Sequence, residues 1–197
     1  MKPTQFESAL ALIDKMNGED PNTYEVYGIQ YSKELLYSER MSRKLLQFNP
    51  LASEALQISA RAQHLCRWKI PRNEYPMNRI GYLKWREALK RMHVDLTNQI
   101  LERVGVEEDL KKRIGFLISK KGIKKDEESQ CLEDIICLVF LEYYFEEFAS
   151  KHPDSKVIDI LQKTWRKMSQ KGQEAALQLR FSARGSDLIE RALDSEG

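Results

Sequence analysis

Residues 80–104 read IGYLKWREALKRMHVDLTNQILERV, and this stretch decides the fold class. Tyr82, Trp85, Leu89, Met92, Leu96 and Ile100 recur at steps of three and four, the spacing that lines up side chains on one face of an α-helix. Gly105 supplies the stop. A helix with such a stripe needs neighbours to bury it, and the flanking sequence offers more helices of the same kind.

Toward the N-terminus, a first helix is expected over residues 5–17, with Thr4 and Glu7 at capping-box spacing and Gly18 ending it. Residues 18–32 read as a polar loop. A second helix follows, with Ser32 as N-cap and Tyr37, Met41, Leu45 and Phe48 on its apolar stripe. Asn49-Pro50 reads as the cap and first position of a third helix, which carries Leu51, Ala55, Ile58, Ala62 and Leu65 and brings His64 near its end.

Toward the C-terminus, helices are expected over residues 108–120, 127–150, 154–167, 170–179 and 187–193. The second of these is apolar nearly all round and reads as central. No alternating strand and no Asn-Gly hairpin stands out. The expected fold is therefore all-α, a compact multi-helix bundle. It is read as a single domain over residues 1–197, with a core at about residues 30–150 and C-terminal helices 153–194 packed on it.

Composition agrees with a folded core under a charged surface: 42% of residues are apolar, 31% are charged, and the net charge is +2. Cys66, Cys131 and Cys137 form no C-x-x-C pair and read as free thiols in a reducing compartment. The N-terminus lacks the apolar core of a signal peptide, and Glu142, Glu146 and Glu147 interrupt the longest apolar run. The expected location is cytoplasmic, with no membrane partner.

Charge is distributed unevenly. Residues 61–92 hold nine Lys or Arg against Glu74 and Glu87, whereas residues 126–147 hold eight carboxylates and no Lys or Arg. The basic stretch brackets His64 and His93 and includes Trp68, Tyr75, Tyr82 and Trp85. Arginines beside aromatics and an imidazole suit a phosphate or a nucleotide, and equally an RNA whose bases stack on the rings. Two imidazoles aimed at one interior suit a metal or acid–base pair. Asp134 or Glu133 is the preferred companion carboxylate, with Glu142 pairing a core arginine. Residues 167–171, Lys-Met-Ser-Gln-Lys, resemble the KMSKS loop of class I aminoacyl-tRNA synthetases. The chain has no partner motif and no βαβ unit for that enzyme, and a helix end followed by a Ser N-cap explains the string.

The strings Leu36-Tyr37-Ser38-Glu39-Arg40-Met41, Ala60-Arg61-Ala62-Gln63-His64 and residues 85–93, WREALKRMH, resemble the domain of unknown function 4202 family. Residues 132–134, 138–142 and 163–169 extend that resemblance over nearly the whole chain. The helix order is also similar to the HD-domain metal-dependent phosphohydrolases. That resemblance places Tyr37 at the first ligand His, His64 at the His of the His-Asp pair, Leu65 at its Asp, and Asp134 at the later Asp. His93 falls at a histidine that some HD enzymes add. It implies hydrolysis of a phosphorylated or nucleotide-like small molecule, with His64, His93 and Asp134 holding a divalent metal that activates water. Arg61, Arg67, Arg79, Trp68 and Tyr82 would contact that substrate. The alternative is a non-catalytic helical module that binds RNA or a nucleotide through a basic aromatic groove.

Overall fold

The computed structural model describes residues 2–194. Ten α-helices, two short 3-10 helices and one two-stranded hairpin account for the regular structure among those residues, so the chain is all-α in class. Two compact units divide it, Met1–Lys121 and Gly122–Gly197.

The first unit opens with α1 (Gln5–Gly18), started by the expected capping box: Glu7 N–H donates to Thr4 Oγ1 at 3.1 Å while Thr4 N–H donates to Glu7 Oε2 at 2.8 Å. The segment expected to be a loop instead forms an antiparallel hairpin of β1 (Thr23–Val26) and β2 (Ile29–Ser32). Its tip is Tyr27-Gly28, with φ of 51° and 79°. Two consecutive positive φ values are what a tight primed turn requires, and here Tyr stands where Asn is usual.

Helix α2 (Lys33–Phe48) follows at once. Ser32 occupies the N-cap position as expected, but its hydroxyl donates to Gly18 O. The buried Asp20 does the capping instead, its Oδ2 accepting from Glu34 N–H at 3.1 Å while Oδ1 accepts from Asn22. This clamp fixes the first turn of α2 and, with it, Glu34.

Helix α3 (Glu54–Arg61) begins later than Asn49-Pro50 suggested, because Ser53 is the residue whose hydroxyl accepts from Leu56 N–H. Leu51 stands almost fully exposed outside it. The helix also stops before His64. Residues 62–66 turn away, Cys66 adopts a left-handed conformation at φ 54°, and its N–H donates to the buried Asn17 Oδ1 at 3.0 Å.

Helix α4 (Arg79–Arg103) is the long helix, capped by Asn78, whose Oδ1 accepts from Gly81 N–H at 2.8 Å. Its buried seam is Gly81, Trp85, Leu89, His93, Thr97, Ile100 and Leu101. His93 therefore lies in the middle of the seam, and Tyr82 faces outward. Each fully covered aliphatic on this seam contributes about 1.5–3 kcal/mol by leaving water. Helix α5 (Glu108–Ile118) packs on α3 and α4, and α1 packs on α2, α3 and α4.

The second unit is α6 (Glu127–Tyr143), α7 (Phe145–Ser150), α8 (Asp154–Lys167), α9 (Gln170–Ala176) and α10 (Ala183–Asp194). The expected single helix over 127–150 breaks at Tyr144 (φ −127°, ψ −14°). Two similar joints hold its last helices. Asp134 accepts from Ser169 N–H at 2.7 Å and from Ser169 Oγ–H at 2.6 Å, while Ser169 Oγ accepts from Gly172 N–H. Glu146 accepts from Ser182 N–H and Oγ–H, both at 2.8 Å, and Ser182 Oγ accepts from Gly185 N–H. Each joint is a Ser-x-x-Gly helix start hung on one carboxylate. Glycine is needed third because a Cβ there would lie 2.7 Å from Asp134 or 2.6 Å from Glu146. The KMSKS-like string is thus a helix end and an N-cap, as its sequence indicated.

Candidate functional site

The chemistry-bearing residues of the first unit gather around His64. Its ring stacks on Tyr37, with centroids 3.9 Å apart and planes 10° apart. Its Nδ1 lies 3.1 Å from Glu34 Oε2, and Arg67 Nη1 donates to its Nε2 at 3.4 Å. A guanidinium has only donors, so Nε2 is the bare nitrogen and the Nδ1–H donates to Glu34. The His93 ring is 6.2 Å away. His93 is buried and, among the described residues, its Nε2 has no hydrogen-bond partner. The His64 side chain remains 26% exposed, so an incoming molecule can reach it.

Several elements converge to build this cluster. Glu34 and Tyr37 come from the first two turns of α2, His64 from the turn after α3, Arg67 from the 3-10 helix that follows it, and His93 from the middle of α4. Arg67 is held over the Trp85 ring at 4.5 Å, and Trp85 Nε1–H donates to Ile70 O. The loop carrying Arg67 is therefore pinned to α4 by an aromatic anchor.

Electrostatics sets the protonation states. Burial raises the Glu34 carboxyl from its usual 4.5 to about 7, with Arg67 and Lys33 opposing the shift. Burial, then the positive charge of Arg67, Lys120, Lys33 and Arg86, holds His64 neutral well below the usual imidazole range. His93 is neutral for similar reasons: burial first, then His64, Arg67 and Lys120. The site is a pair of neutral imidazoles and a carboxyl that ionises near neutrality, set in a positive field.

A family model, Domain of unknown function (DUF4202), matches residues 7–189. The chain belongs to this family. No curated protein and no solved structure matches it.

In this DUF4202 chain the residues singled out from sequence have varied placements. His64, His93 and Arg67 come together. Tyr82 lies beside them through Trp85, with ring centroids 5.9 Å apart, and Arg72 and Arg86 sit over its ring at 6.0 and 5.8 Å. Trp68 is half-buried and Arg79 is exposed. Arg61 has another engagement, a bidentate pair with Asp14 at 2.6 and 2.7 Å that ties α3 to α1. Asp134 belongs to the second unit, where Gln130 and Ser169 occupy its oxygens. Glu133 is buried with Lys167 Nζ 3.7 Å away, and Glu142 is exposed. Burial raises the Cys66 thiol, which suits a packed residue and not a nucleophile.

Sequence reading missed Glu34, although a signal was present. Glu34, Tyr37, Met41 and Leu45 continue one stripe at steps of three and four. A carboxylate on an apolar stripe is costly unless it has work or a partner.

The groups around His64 include a cation, the Arg67 guanidinium at Nε2. His64 has Glu34 at one ring nitrogen and that guanidinium at the other. Among the described residues no group of three His, Cys, Asp or Glu side chains is arranged to hold a metal ion. No helix among them is long and apolar enough to cross a membrane.

Proposed function

We propose that the first unit binds a phosphorylated or nucleotide-like small molecule and transfers a proton to or from it, as a phosphohydrolase would. The observation that carries the reading is His64 held between Glu34 at Nδ1 and Arg67 at Nε2, inside a positive field. Glu34 accepts from Nδ1–H and so orients the imidazole with Nε2 as its basic nitrogen, the placement a carboxylate takes behind a general-base histidine. Arg67 turns from Nε2 to the phosphoryl oxygens, for which its fork of donors is suited. That movement frees Nε2 to accept a proton from an attacking water. The unpartnered Nε2 of His93 gains a partner on the same ligand.

The HD-domain resemblance read from the sequence would bring a divalent metal with the hydrolase reading. The cationic side chains facing His64 argue for a substrate anion in that place, so no step here runs through a metal.

The test is binding and turnover by metal-free protein. In the presence of a chelator, nucleoside monophosphates should raise the melting temperature, and Arg67→Ala should weaken binding about tenfold or more. His64→Gln should abolish phosphate release while retaining binding. Turnover that vanishes with chelator and returns with one equivalent of divalent ion would replace this reading with the metal-dependent one.

A second reading rests on Tyr82, whose partly exposed ring lies under both Arg72 and Arg86. Such a ring can stack a base, so a non-catalytic module for RNA or a nucleotide would use this face. Tight binding of single-stranded RNA without any turnover would favour it.

A further inference from the structure

The second unit contains a cavity of about 380 Å³ that the proposed chemistry does not use. Its volume falls in the range of small-molecule sites. Leu141 from α6, Leu161 and Trp165 from α8, Phe181 from the turn before α10, and Ile189 and Leu193 from α10 form its walls. They make the interior apolar. Leu177, more than half exposed, stands at its edge, so the cavity is reached from solvent.

Polar clamps hold the walls apart without filling the space between them. Ser182, just before α10, is fixed to Glu146, and Arg184 and Arg191 both reach Asp154 at 2.9 and 3.1 Å. Farther along, Gln162 Nε2 donates to Ala192 O at 3.3 Å. The space between the walls opens to solvent, so its apolar lining stays partly uncovered. A framework clamped at its margins around an open apolar space is the arrangement of a binding site.

The charge at the cavity selects the occupant. Glu190 and Asp194 line it one turn apart on α10, and among the described residues no Lys or Arg does. A fatty acid or a phosphate ester would meet two like charges there. Besides the two carboxylates, the hydroxyls at the lining are those of Ser186 and of Thr164, which donates to Ile160 O; the carboxylates are the charged groups there. We infer that this cavity binds an apolar small molecule ending in an ammonium group, with its hydrocarbon or aromatic body against Trp165 and its cation at Glu190 and Asp194.

Trp165 provides the readout. Titration of the full-length protein with 4-phenylbutylamine should change tryptophan emission saturably, and Trp165→Phe should remove that change. 4-Phenylbutyrate, of nearly the same shape and opposite charge, should bind about tenfold more weakly. Glu190→Gln with Asp194→Asn, both at exposed positions, should bring the two affinities together while the amine still binds. A parallel melting-temperature series reports binding independently of emission. No saturable response to the amine in either measurement overturns the site, and equal affinity for amine and carboxylate in the unaltered protein overturns the assigned ligand class. Neither result bears on the chemistry proposed at His64.

Discussion

Glu34→Gln keeps an acceptor oxygen opposite His64 Nδ1 while removing the buried charge, so it isolates the cost of ionising Glu34. Glu34 titrates at about 7 in the folded chain against an ordinary 4.5. Because the folded value is the higher one, the native state favours the protonated carboxyl. Native stability therefore carries no ionisation cost below the ordinary value, declines as pH rises from about 4.5 through 7, and levels off above that. The difference of about 2.5 pKa units, at about 1.36 kcal/mol each, gives a ceiling of about 3 kcal/mol. His64 and His93 titrate the other way: their depressed values remove stability as pH falls below the usual 6.5. Both proteins share that loss, so it largely cancels in the comparison. Urea unfolding of the two proteins at pH 5, 6, 7 and 8 should show the variant gaining on the unaltered protein across this range. The gain approaches about 3 kcal/mol, or roughly 10 °C in melting temperature. A fixed offset from the new amide would appear at every pH, so the slope is the test. A difference that stays flat from pH 5 to 8 would refute the argument that Glu34 is buried at an energetic cost.

Arg61→Ala should lower stability by about 1 kcal/mol through loss of the bidentate contact to Asp14, with nucleoside monophosphate affinity unchanged; urea unfolding and a binding titration check the two halves of that statement. Asp134→Ala should cost about 3 kcal/mol and expose the amides of α9 to solvent exchange, because it removes the acceptor of both Ser169 donors. Gly81→Ala should destabilise by about 2 kcal/mol or more, since its Cβ would sit 2.1 Å from Pro76 O, and a thermal melt reads the loss.

The helical class and the long α4 were legible because a period of three to four survives wherever one face is buried, as in Trp85, Leu89 and Ile100. His93 was harder to place, since steps of four from Gly81 through Trp85 and Leu89 reach it as a seam residue only when glycine is counted as packed. The glycine is packed, against the backbone of Pro76. The hairpin escaped because Tyr27-Gly28 lacks the usual Asn and its strands have four residues each. The start of α3 was misread because Asn49-Pro50 and Ser53 both carry cap chemistry, and only tertiary burial of Leu56 and Ile58 selects the later one. In the candidate site, the basic aromatic loop and His64 could be read directly. Glu34 could not be assigned a role, because a carboxylate in the first turn of a helix is also favoured by the helix dipole alone.

The paired Ser-x-x-Gly joints give α9 and α10 something that greasy faces alone do not, namely a fixed longitudinal address. An apolar stripe can slide by a turn and still find cover, whereas a serine seated on a particular carboxylate cannot. Residues 177–180, between the end of α9 and Phe181, which packs edge-on against Phe145 at 5.7 Å, bear no such obligation. Lengthening the chain there should leave both helices docked in place, while one extra residue inside either four-residue start should unseat the helix that follows.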